Sequence, residues 1–170
     1  MKPALACLLC LSVLLLLLCG CGSKTGEAAP TKPFYDKYKE ANEAYFGAEL
    51  YTELQHSMTE EEKELGEEVV QKMQSVLEYV GSEAEADADV GALSRYYWFP
   101  YYEQPAKAEA SATLATCVKQ ESEFHVWVGY TQVRYDETGE STNGSWDCLA
   151  LLIVSPDKEG WTVTEIREHP

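Results

Sequence analysis

The chain has 170 residues, 29 of them acidic and 13 basic, for a net charge of −16 at neutral pH. A balance that acidic excludes a nucleic-acid partner, whose phosphates demand clustered Lys and Arg. It also sets the folded part against adhesion to an anionic lipid surface, so any membrane affinity must come from elsewhere in the chain.

The first element in chain order is an export signal. Lys2 supplies one positive charge, and positions 4–18 form an almost unbroken apolar run ending in five leucines. A short basic start before an apolar core of roughly 7–15 residues marks a secretory signal, and such a core is shorter than the ~20 residues a spanning helix needs. Leu18-Cys19-Gly20-Cys21 follows. These residues resemble the lipobox of bacterial lipoprotein precursors, in which Leu, a small residue and Gly precede a Cys. The resemblance implies cleavage before Cys21, a diacylglyceryl group on its thiol, and a place on the extracytoplasmic face of the cell membrane. Cys19 fits less well, because bulky Leu18 would take its small-residue position. Two or more acyl chains anchor a protein stably, each buried CH₂ adding about 0.8 kcal/mol. Cleavage would leave 150 residues and, with Lys2 gone, a charge one more negative, −17. That is one domain's worth of chain.

Residues 21–32 are rich in Gly, Ser, Thr, Ala and Pro without apolar periodicity. They predict a flexible tether spanning roughly 20 Å root-mean-square. A single domain is expected over 33–170. Phe34, Tyr38, Ala41 and Tyr45 then recur at helical spacing behind Pro33, with Gly47 as a stop unless the helix runs on through Leu50 and Leu54. Ser57 and Thr59 each stand three residues before a glutamate, a capping-box pattern, and Leu65, Val69, Met73, Val76, Leu77 and Val80 draw one apolar stripe ending at Gly81. The many glutamates of its first turns suit the positive end of the helix dipole. Acids alternate over 82–89, but counting from Glu85 puts Val90 and Tyr96 where a calcium loop needs Gly and Glu, so no metal is expected there. A short third helix is predicted over 89–97.

Tyr96, Tyr97, Trp98, Phe99, Tyr101 and Tyr102 place six aromatics in seven positions around Pro100. Such rings offer flat, low-entropy contact area with polar tips, suited to a carbohydrate or a cell-surface protein partner. The competing expectation is a core-lining stretch over the end of a sheet.

After Pro105 the period becomes two, predicting strands over 107–119, 124–135, 146–155 and 161–167 in an antiparallel meander. Asn143-Gly144-Ser145 matches a glycosylation acceptor, but Asn-Gly is first a hairpin turn, and the turn is expected. The fold class is α+β, about three N-terminal helices packed on a curved four-stranded antiparallel sheet. That element order, with the closing run of residues 160–166, resembles the nuclear transport factor 2-like superfamily, a cone of helices wrapped by a sheet; a cystatin-like sheet is the nearest alternative. The resemblance implies a pocket inside the cone, for which His125, Tyr130, Asp147 and Glu165 are the candidate polar groups.

The sequence contains no nucleophile elbow, phosphate loop, zinc ligand pair or dinucleotide fingerprint, and no cofactor is expected. The expected function is a non-catalytic module binding a ligand or partner; a small-molecule hydrolase or isomerase is the alternative. Cys117 and Cys148 remain outside the signal. The hairpin links place Cys117 near His125 and Cys148 near Val133, two strands apart, so no disulfide is expected between them.

Overall fold

The computed structural model describes residues 38–99, 103–158 and 160–169. Within them the chain forms α1 (Lys39–Phe46), α2 (Ala48–Tyr51) running into a 3₁₀ turn (Thr52–Gln55), the long helix α3 (Glu60–Leu77), and 3₁₀ turns at Glu83–Glu85 and Gly91–Tyr96. Four strands follow: β1 (Lys107–Lys119), β2 (Phe124–Tyr135), β3 (Ser141–Pro156) and β4 (Trp161–Glu168). They pair in the order β1-β2-β3-β4, all antiparallel. The α+β class and the helices packed on a four-stranded sheet are as expected, with Gly47 dividing the first helical segment at φ +87°.

The capping box forms at Thr59 rather than Ser57. The Glu62 amide binds the Thr59 hydroxyl at 3.3 Å, and the Thr59 amide binds the Glu62 carboxylate at 2.7 Å. Glu62 also takes the Lys119 amide at 2.8 Å and His56 at 3.0 Å. Burial would raise its carboxyl, but those hydrogen bonds outweigh burial and hold it at about 2. One acid thus caps α3 and fastens it to the end of β1. Helix α3 stops at Leu77, before the expected Gly81.

Strand β2 is buried on both faces over residues 126–130, which explains the consecutive large apolar residues Val126, Trp127 and Val128. Val126, Val128 and Tyr130 share one core with Val69, Met73 and Leu77 of α3. Trp127 shares a second core with Phe46, Tyr51 and Leu54, joined by Leu149, Leu151 and Ile153. Helical segments therefore cover opposite faces of the sheet.

The free edge of β1 is managed by Gln74 of α3. Its amide donates to the Ala110 carbonyl at 3.4 Å, and its carbonyl accepts from the Ala112 amide at 3.2 Å, in place of a fifth strand. Gln74→Ala should cost about 1 kcal/mol and speed hydrogen exchange at the Ala112 amide selectively. Unchanged protection at Ala112 would refute this role.

The β2–β3 turn corrects the expectation for Asn143-Gly144. It lies at residues 136–140, where the Asp136 carboxylate accepts from the Thr138 and Glu140 amides and Gly139 takes φ +84°. Asn143 and Gly144 are strand residues opposite Arg134 and Val133. The Asx turn satisfies three donors, counting the Thr138 hydroxyl, and wins over the Asn-Gly pair. The earlier turn also moves Cys148 opposite Tyr130, while Cys117 faces Val126. The thiols are four β2 positions apart, roughly 14 Å along the strand and about 10 Å across, and both are free. Burial pushes the Cys117 thiol up to about 12.

Candidate functional site

Beyond Val128, β2 continues the same inward parity with polar side chains: Tyr130, Gln132 and Arg134. Helix α3 has ended by this point, and Gln132 donates to the Leu77 carbonyl that the helix leaves open. The turn Gly91–Tyr96 lies across the end of the sheet instead, leaving a cleft of about 270 Å³. Its walls are Arg95 and Tyr96 from that turn, Tyr97 just after it, the three β2 side chains, residues 143–145 of β3, and Glu168 at the end of β4.

Glu168 is the hub. One of its oxygens accepts from the Tyr96 hydroxyl at 2.8 Å and the Tyr130 hydroxyl at 2.9 Å; the other meets Arg95 Nη2 at 3.2 Å. The two phenol rings touch edge to face, 5.5 Å apart. Arg134, only 8% exposed, gives Nη2 to the Tyr96 carbonyl at 2.8 Å. Burial first, and then the Glu168 charge, drive the Tyr130 phenol far above its ordinary value. Burial, with Tyr130 and Glu168 beside it, does the same to Tyr96. The Cys148 thiol is raised by burial too. All three stay protonated at neutral pH. The cleft is therefore rich in donors, and its carboxylate already serves three of them.

A second polar centre lies on the opposite face. His125 Nδ1 stands 2.9 and 3.0 Å from the two oxygens of Glu53, and Nε2 stands 3.2 Å from Glu123. Glu53 also accepts from Trp127 Nε1 at 2.9 Å and Gln120 at 3.0 Å. Carboxylates can only accept, so both ring nitrogens must donate, and His125 is an imidazolium here. Its pKa is accordingly raised by Glu53, against the effect of burial. Among the described residues no group of three or more His, Cys, Asp or Glu is placed to hold a metal ion.

Of the four candidate pocket groups, only Tyr130 lines the cleft. His125 belongs to the other face because it is odd in β2 where Tyr130 is even. Glu165 is exposed and paired with Arg167 Nε at 2.7 Å. Asp147 is exposed in a bulge at φ 53°, its amide held by the Thr131 hydroxyl at 3.2 Å.

The aromatic run does not form an open platform among the described residues. Tyr96 and Tyr97 are buried, and Trp98 and Phe99 are half-buried. Tyr97 stacks on Phe99 at 5.0 Å and meets Tyr79 edge-on at 5.4 Å. Tyr101 and Tyr102 lie outside the described residues, as does Cys21. The first part of the run is thus a wall shared by the core and the cleft.

Compared with known protein families, curated proteins and solved structures, the chain matches none of them.

Proposed function

We propose that this chain is a lipid-anchored extracytoplasmic module that binds a small polar ligand in the cleft beside Glu168 without transforming it. The lipobox ending at Cys21 and the polar tether behind it support the anchor. The observation that carries the non-catalytic half is the state of Glu168. A general base needs a lone pair presented to the proton it takes. Glu168 instead spends its oxygens on two phenols and a guanidinium, and the phenols and thiol around it remain protonated. A carboxylate already engaged by three donors suits holding a ligand rather than moving its protons.

Expression of the whole precursor in a bacterium tests the anchor. The wild type should partition with membranes and yield an N-terminal Cys21 peptide heavier by its lipid. Cys21→Ser should lose that mass and appear in the medium or as an uncleaved precursor. A variant that keeps both the membrane association and the mass of the wild type would remove the lipoprotein reading.

A further inference from the structure

The outer edges of the sheet are treated unequally. Gln74 engages the edge of β1, and the turn Gly91–Tyr96 lies along β4, where Arg95 holds the Ile166 carbonyl and Gly91 sits against the Val163 carbonyl. Strand β4 stops at Glu168, and its ladder with β3 reaches only Ala150, whereas β3 begins at Ser141. Residues 141–146 therefore have β2 on one side and no strand on the other among the described residues. A bare edge offers N–H and C=O groups to any incoming strand, and proteins commonly blunt it with Lys or Pro. Ser141-Thr142-Asn143-Gly144-Ser145-Trp146 has neither, and it carries no charge on a chain whose net charge is −16. Trp146 is 61% exposed, the most of any large hydrophobic among the described residues. Its indole lies back along the edge over Gly144, where a Cβ would stand 2.6 Å from the ring.

We infer that this edge takes a second copy of the chain, the two β3 strands running antiparallel about a twofold axis at Gly144. The inference does not depend on what the cleft binds. Charge selects the occupant. A basic partner would call for acids along the strip, and it has none; two acidic copies need a neutral strip on which to meet. The ladder sets the register, because β2–β3 pairing here is regular over Asn143–Ser145 and shifts on both sides, leaving Gly144 in the middle. Centred there, Asn143 lies opposite Ser145 of the second copy, Thr142 opposite Trp146, and Ser141 opposite Asp147. No like charges face each other across the seam. A twofold contact of this kind is self-complementary and closed, and it gives each exposed indole a strand to pack on. Asn143, Gly144 and Ser145 also wall the cleft, so the second strand borders it.

Sedimentation equilibrium of the full expressed chain, in neutral detergent matched in density by the solvent, reads the mass of protein alone. The wild type should approach the mass of two chains as concentration rises. Added salt should tighten the association, because it screens the repulsion between two acidic molecules. Trp146→Glu, at an exposed position, removes the ring and puts an acid on each side of the seam, and should weaken the dimer about tenfold or more. Ser111→Glu, exposed on β1, adds the same charge away from the seam and should change the affinity less than about twofold. Amide exchange at Gly144 should slow with protein concentration in the wild type and not in Trp146→Glu. A chain that stays monomeric at its highest soluble concentration in high salt would overturn the inference, as would a dimer indifferent to Trp146→Glu or weakened equally by both variants. A monomer whose Gly144 amide is protected all the same would also overturn it, and would give the edge to a segment of the same chain.

Discussion

Gly91→Ala should destabilise the domain by about 3 kcal/mol or more and loosen the cleft with it. Gly91 opens the 3₁₀ turn Gly91–Tyr96 at φ +55°, a region that costs an L-residue about 1–2 kcal/mol. A Cβ there would also stand 2.4 Å from the Val163 carbonyl oxygen and 2.9 Å from Thr162 Cγ2. Backbone cannot rotate away as a side chain can, so the turn must lift off β4. That turn carries Arg95 and Tyr96 to Glu168, and it holds the Ile166 carbonyl through Arg95 Nη1 at 3.3 Å. The control is Gly47→Ala, at φ +87° and ψ 138° with nothing within 4 Å, which should cost only the conformational part, about 1–3 kcal/mol, with no clash. Urea denaturation of both variants reads the difference. Equal losses at the two positions would mean that contact with β4 contributes nothing at Gly91.

The same turn shows which parts of the molecule were legible in the sequence. Some local signals read correctly, while the Gly81 helix stop and the Asn143-Gly144 turn did not. The Thr59 capping box, the apolar stripe of α3 and the period-two strands each follow from residues a few positions apart. The cleft does not, because Arg95, Tyr130, Ser145 and Glu168 come from four separate elements. A signal for it was present in β2, where Val126 and Val128 give way to Tyr130, Gln132 and Arg134 without a change of parity. Polar side chains continuing an apolar inward face mark the place where the covering helix has ended. Asn143 and Ser145 were hidden by the Asn-Gly turn motif, which a carboxylate-stabilised turn at Asp136 outcompeted. His125 and Glu53 are 72 positions apart, and only docking of the first helical segment on the far face of the sheet joins them.

That pair gives the second large effect. Glu53→Ala should cost about 3 kcal/mol, because it leaves the indole N–H of fully buried Trp127 without its acceptor and strips His125 of its counter-charge. Glu53→Gln keeps an acceptor for Trp127 and should cost less. The pH dependence follows from the signs of the two shifts. Burial would raise the Glu53 carboxyl, but hydrogen bonds from His125 and Trp127 outweigh it and hold the carboxyl below its usual 4.5. The His125 imidazolium is held above its usual 6.5, chiefly by Glu53 and with help from Glu123. A lowered acid stabilises above its unfolded value and is lost as pH falls; a raised base stabilises below its unfolded value and is lost as pH rises. The contribution of the pair is therefore full between about pH 4.5 and 6.5 and declines on either side. On the alkaline side the carboxylates are already ionised, so general acid repulsion stays constant there. Wild type should lose more stability than His125→Gln between pH 6 and pH 9 when unfolding is followed in urea. Parallel pH profiles for the two proteins would show that His125 is not charged in the folded state, and the Glu53–His125 ion pair would have to be replaced by a neutral hydrogen bond.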